Sequence, residues 1–291
     1  PKFLKARSIF MNIIRYKKLI FISIILLSVS CSSTKIFYNH ADLLLINWLE
    51  SYIELNEKQR SELNMKVEKF FAWHRKSELP KIVFFLEALK VRYENGIDKQ
   101  DINWVRSELK ILWKRILSYA EDDIVSLLLI IDGIQILQAK EKLAKKEDDW
   151  LVKQSIMSSE ELRTHILDRS YEFLDDWLGG LESSQKKQLA IWVQPDLSWV
   201  VIRLRNREKF QNDLINLLKS KELLKENIHS WISYPESHWT EEYKDVIENK
   251  RQEWETIALM IDTNTLPSQR KHAIDKLDQY IEDFKDLTDT E

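Results

Sequence analysis

The sequence reads as an all-α protein, and three observations carry that reading. Only four glycines and five prolines occur in 291 residues, which removes the turn residues that an all-β or α/β fold needs. Apolar residues recur at helical spacing, as in Leu63, Val67, Phe70 and Phe71, or Ile102, Val105, Leu109, Leu112, Trp113 and Ile116. Polar residues followed three positions later by Glu or Gln mark helix starts, because that pair satisfies amides that a first turn leaves orphaned.

Asn56 with Gln59 opens one helix, Ser158 with Glu161 opens another, and Thr240 ahead of Glu241 and Glu242 opens a third. Between such starts the pattern predicts an array of about ten helices. They lie near 35–54, 56–77, 80–95, 99–120, 122–156, 159–178, 183–194, 196–219, 222–232, 241–260 and 267–286. Gly179-Gly180 and the Pro195 and Pro235 regions interrupt the array, and Lys140 to Asp149 reads as a solvated helix carrying opposite-charge pairs. A divide near residue 157 gives an amino-terminal subdomain, 31–157, and a carboxy-terminal one, 158–291. No Ser/Gly-rich linker marks it, so one continuous array is the alternative.

The first 30 residues read as an export signal, with Met11 the better start. Arg15, Lys17 and Lys18 form a cationic leader, and Leu19 to Val29 is apolar apart from Ser23 and Ser28. That run suits a signal-peptide core and falls short of the roughly 18 to 20 residues that a bilayer-crossing helix needs. It ends in Leu27-Ser28-Val29-Ser30-Cys31, which resembles the lipobox of bacterial lipoproteins. Ser30 fits the small residue wanted there; Ser28 departs from the usual leucine. The resemblance implies cleavage before Cys31 and acylation of its thiol. Cys31 is the only cysteine, so an intramolecular disulfide is ruled out. Several acyl chains on one residue would anchor the chain stably. Ser32 stands where aspartate commonly retains a lipoprotein at the inner membrane, so the outer membrane is expected and the inner membrane is second.

Residues 1–31 hold six cations and no acid, which leaves 38 of the 44 cations against 47 acids and a formal charge of −9. That excess opposes binding to a phosphate backbone, and no nucleic-acid partner is expected. The six histidines are scattered, so no metal is expected, and no cofactor beyond the covalent lipid. There is neither a GxSxG elbow nor a phosphate-binding glycine loop.

Tyr38 to Asp42, Trp48, Leu55 to Gln59, Trp73-His74-Arg75 and Glu78-Leu79-Pro80, with Trp177, Leu181 to Gln185 and Trp192 further on, resemble a family of predicted Gram-negative lipoproteins classified only as a domain of unknown function. That resemblance implies localisation and a helical fold without a mechanism. Leu55 to Gln59 and Leu181 to Gln185 are also similar to the Leu-Thr-x-x-Gln motifs of Spy- and CpxP-type periplasmic chaperones, with Asn56 and Glu182 in place of threonine. Glutamate is a poor cap, so the second copy is expected to cap through Ser183. An ordinary capping box is the plainer account of both.

Eleven tryptophans are the most unusual compositional feature. Most are expected in the core, Trp113 by its stripe. Trp199, Arg203 and Arg207 align an indole with two guanidinium groups on one helix face, which suits carboxylates or lipid phosphates, or else a surface tryptophan covered by arginine stems. Trp73, His74 and Arg75 form a second candidate surface, although His74 extends an apolar stripe and reads more simply as a hydrogen-bonded border histidine. Asp132 is expected on a polar stripe with Gln135. The leading expectation is a membrane-tethered, non-enzymatic binding, chaperone-like or scaffold protein of the envelope, with a protein or peptide partner. A cell-wall glycan hydrolase and a purely structural lipoprotein are the alternatives. A concave groove lined by Trp and Arg would favour binding, a pair of inward carboxylates hydrolysis.

Overall fold

A computed structural model describes residues 33–155, 157–193 and 197–289; the proposed signal segment, Cys31 and Pro195 lie outside them. The protein is all-α, and no strand occurs among the described residues. In chain order the helices are α1 (Ser33–Asn39), α2 (Ala41–Glu50), α3 (Glu57–Trp73), α4 (Leu79–Glu94), α5 (Lys99–Leu129) and α6 (Gly133–Ser155). Then come α7 (Ser159–Leu178), α8 (Ser183–Trp192), α9 (Leu197–Leu218), α10 (Lys221–Ser233), α11 (Glu241–Thr263) and α12 (Pro267–Asp289).

The expected caps are in place. The Asn56 side chain accepts from the Gln59 amide at 3.0 Å while Gln59 Oε1 accepts from the Asn56 amide at 3.1 Å. Ser158 and Glu161 reciprocate in the same way, and Thr240 caps the Tyr243 amide. Gly179 closes α7 at φ +71°, a left-handed backbone that a side chain would disfavour.

Several boundaries differ from the periodicity. The helix expected over 35–54 is divided at His40 and ends at Glu50, and α5 runs through 121, where the periodicity places a break. The chain does not stop ahead of Pro80, because one π-helical turn, His74–Glu78, joins α3 to α4. Proline lacks an amide and its ring clashes with the carbonyl four residues back, and the wider turn relieves both. A further difference is at 130–132, where a helix expected to run through is cut. Asp132 Oδ1 accepts from the amides of Ile134 and Gln135, both at 2.9 Å, so an aspartate expected on a polar stripe instead starts α6.

Each Gln of the two Leu-x-x-x-Gln stretches is buried or half-buried and faces another glutamine from a distant helix start. Gln59 Nε2 donates to Gln135 Oε1 at 3.0 Å, and Gln135 Nε2 returns a bond to Gln59 Oε1 at 2.7 Å. Gln59 also donates to the Ile130 carbonyl and Gln135 to the Glu54 carbonyl, each carbonyl lying just ahead of the partner's cap. The second pair repeats this atom for atom. Gln185 and Gln269 exchange bonds of 2.8 and 2.9 Å and reach the carbonyls of Asn264 and Gly180. Their Oε1 atoms take the amides of Glu182 and Leu266. The cap of α8 is therefore Glu182, one residue before the expected Ser183, and its backbone amide is satisfied by Gln185 Oε1.

The most extensive helix pair is α12 on α4. Ala273, Leu277, Ile281 and Leu287 give α12 a buried stripe, and Leu79 and Val83 do the same for α4. Ion pairs Lys90–Asp278 and Lys285–Glu87 flank the seam. The same α12 touches α1, through Lys35 and Asp286, and α7, so it contacts elements from both sides of residue 157. A second centre joins α9 and α10 to α5, with Leu217 of α9 and Leu224, Ile228 and Ile232 of α10 packed against Leu117, Ile124, Val125 and Leu128.

The tryptophans do not form the core. None of those whose side chains are described is fully buried, and Trp113 is 57% exposed on α5. Indole is too large to be enclosed easily, and helical spacing does not reveal how much of a stripe is covered.

Replacing Gln59 with leucine should leave the amide of Gln135 short of a partner and lower stability by about 1–3 kcal/mol in urea unfolding. The Gln59→Leu/Gln135→Leu double variant should cost less than the sum of the single changes, since neither buried amide is then left half-paired.

Candidate functional site

A deep concavity lies between α7 and α11. Along α7, Leu162, Ile166, Arg169, Phe173, Leu174 and Trp177 recur every three or four residues, so one whole face of that helix lines it. Along α11 the same spacing brings in Lys250, Glu253, Trp254, Ile257, Ala258 and Ile261. Helix α8 touches both walls and sets their separation. Its buried Leu189, with Val193, Leu167 and Ile257, forms a buried apolar cluster, three members of which line the groove. Ala273 and Leu277 of α12 and Leu89 and Tyr93 of α4 close one side, and Trp199, Val200 and Arg203 of α9 stand on another. The groove, open on one side, has a volume of about 860 Å³.

The depth of the groove is aliphatic and its rim aromatic. Leu162, Leu178, Leu189, Ala273 and Leu277 are buried, whereas Phe173 is 61%, Trp254 52% and Trp192 50% exposed. With Trp177 and Trp199, that makes four indoles on one cavity. Trp199 is stacked on Tyr243, ring centroids 5.6 Å apart and nearly parallel, and Lys276 sits over the ring of Trp177.

Charge in the lining is uneven. Arg169, Arg203 and Lys250 face the cavity against Glu253 and Asp262. Lys250 pairs with Glu253 at 2.8 Å. Asp262 is held from behind the wall by Arg270 at 2.9 Å and by the Ile97 amide at 3.0 Å. Gly96 makes the turn that presents that amide, at φ +87° and with Asp262 Oδ2 3.2 Å from where a side chain would begin. Burial raises the Tyr93 phenol above its ordinary value, and Arg270 lies 4.8 Å over its ring. Arg169 is exposed and forms no ion pair with a described residue.

Trp199 and Arg203 are thus both on this groove, while Arg207, one turn further along α9, is not among its lining residues. The alignment expected from the sequence holds along the helix, but only its first two members reach the cavity. Phe173, Trp192, Trp254 and Arg169 are not singled out as a site by sequence. Their signal is the same amphipathic spacing that a core stripe gives, and only the gap between α7 and α11 distinguishes the two.

Trp73, His74 and Arg75 lie elsewhere, Trp73 against α5 and the other two fixing α1. Trp73 stacks flat on Tyr119 at 3.8 Å, His74 Nδ1 shares a 2.8 Å hydrogen bond with the Tyr38 hydroxyl, and Arg75 donates to Asn39 Oδ1 at 2.8 Å. Burial pushes the Tyr38 phenol up to about 12, against the opposing charge of Arg75. Burial also lowers the His74 imidazole, against the opposing influence of Glu78. Glu78, with no accessible surface, takes two bonds from Arg115 at 2.8 and 2.9 Å and one from Lys81 at 2.8 Å. These bonds, that from Arg115 first, hold its carboxyl below the usual range. Among the described residues no group of three or more His, Cys, Asp or Glu is arranged for a metal.

These features define an all-helical protein with an aromatic-rimmed apolar groove. The chain belongs to a family of unknown function (DUF6279), whose model matches residues 51–244. Comparison with curated proteins and with solved structures gives no match.

Because His74 is held neutral in the folded chain, the unfolded chain takes up its proton first as pH falls past about 6.5. Folding stability should therefore be complete above that value and decline as pH drops through the lowered folded value. In His74→Gln the thermal midpoint should vary less with pH over that window, as read by circular dichroism.

Proposed function

We propose that this protein is a lipoprotein of the cell envelope, tethered through acylated Cys31 to the periplasmic side of a membrane, the outer one first. Its helical body acts there as a non-enzymatic binding protein. The observation that carries the binding role is the groove, since a cavity of this volume with an apolar floor and a few charged rim groups is how proteins enclose small apolar ligands. Its exposed Phe173, Trp192 and Trp254 give contact area at little conformational cost.

The two helices nearest Cys31 support the tether. Helices α1 and α2 expose Ile36, Phe37, Leu43, Leu44 and Trp48, and such a face suits the boundary between headgroups and acyl chains. No helix of the described residues is long and apolar enough to cross a membrane. Hydrolysis is less well supported, because Glu253 and Asp262 are each matched by a cation, and a glycosidase needs one carboxylate poised as acid and one as base or nucleophile. The chaperone-like motifs contribute little to the binding argument, since Gln59 and Gln185 are consumed by their helix starts.

Mass spectrometry of the full chain from separated membranes should find an amino terminus at Cys31 carrying acyl chains, absent in Cys31→Ala. An uncleaved, unmodified chain would overturn the tether. For the groove, a photoreactive benzoylphenylalanine in place of Phe173 should capture a discrete adduct in membranes, and one in place of Met65, exposed on α3, should not. Equal capture at both positions, or none at either, would overturn the binding role.

A further inference from the structure

Resting on that binding role, we infer that the groove takes the acyl chain of an anionic amphiphile, with the anionic end, a carboxylate or a phosphate, at Arg169 and Arg203. Two features of the lining select this ligand class over an extended peptide.

The first is the supply of hydrogen-bonding groups. A peptide brings a backbone donor and acceptor at every residue, and each one buried without a partner costs about 1–3 kcal/mol. The groove walls are helices, whose own backbone groups are already paired within each helix. Several of the polar side chains between them are committed as well. Ser170 donates to the Ile166 carbonyl at 2.7 Å, Asp262 is held by Arg270 and Ile97, and Glu253 pairs with Lys250. A hydrocarbon chain asks for no such partner and gains about 0.8 kcal/mol for each methylene removed from water.

The second is the placement of charge. The aliphatic floor carries no charge, while Arg169 and Arg203 are exposed where the groove opens. Cations outnumber acids in the lining, and Asp262 is further matched from outside by Arg270. An apolar body leading to a positive mouth is complementary to an amphiphile with a negative end, and guanidinium groups pair with carboxylate and phosphate alike.

Membranes containing the full chain would be treated with diazirine-bearing photoprobes: a long-chain fatty acid, a lysophosphatidylglycerol, a neutral monoacylglycerol and an apolar decapeptide. One or both anionic probes should label peptides of α7 and α11, and the one that labels more strongly identifies the headgroup as carboxylate or phosphate. Ala258→Phe, which fills the cavity, should remove that label. Arg169→Ala/Arg203→Ala should reduce anionic labelling about tenfold, the loss expected for charge-assisted bonds, and leave the neutral probe unchanged. Labelling by the anionic probes that is indifferent to both variants would overturn the inference. Labelling of the groove by the decapeptide alone would overturn it while keeping the binding role. No labelling by any probe, together with no adduct at position 173, would overturn both.

Discussion

A helix that begins inside a protein exposes amide groups to a medium without water, and the fold depends on how this chain satisfies them. At two places it uses the same device: a glutamine three residues into one helix faces a glutamine three residues into another. Each closes its own capping turn with its oxygen. With its nitrogen it bonds the other glutamine and a carbonyl ahead of the other helix. Four helix starts, those of α3, α6, α8 and α12, are thereby fixed in two pairs across long stretches of sequence. An unpaired amide in such a place costs more than a formed bond returns, so the geometry tolerates little drift.

The groove depends on the second pair. Fixing α8 against the start of α12 sets where α7, α8 and α12 meet, and α8 then holds α7 and α11 far enough apart for a cavity to lie between them. The buried Leu167, Leu189, Val193 and Ile257 cluster forms part of its floor, so the opening is bounded there by packed side chains. Polar side chains near the opening are turned to structural work, which leaves hydrocarbon and aromatic surface in the cavity and guanidinium at its edge.

Much of the helix content is legible in the sequence because it is written in local chemistry. Asn56, Ser158 and Thr240 cap where their spacing says they should, and Gly179 terminates where its freedom is needed. Local chemistry also explains two of the boundaries that differ, once competing bonds are counted. Pro80 is absorbed by a π-helical turn, and Asp132 takes two nearby amides in preference to a place on a helical face. The relation between distant segments is not legible in the same way. Nothing near Gln59 names Gln135, and nothing near Trp254 names Phe173. Trp113 lies on as regular an apolar stripe as any core residue, yet more than half of its surface stays open. Periodicity reports which face is apolar and is silent on whether that face meets a packed layer, a gap or solvent.

Helix α12 packs along α4 and also supplies Ala273 and Leu277 to the wall of the groove. Translation delivers it after every other helix described. Until Pro267–Asp289 has emerged, the buried side of α4 has no cover, Gln185 has no counterpart, and the cavity lacks one wall. A nascent or prematurely terminated chain can therefore contain every tryptophan and arginine of the rim and still lack the groove, so a complete groove marks a chain that has been made through α12.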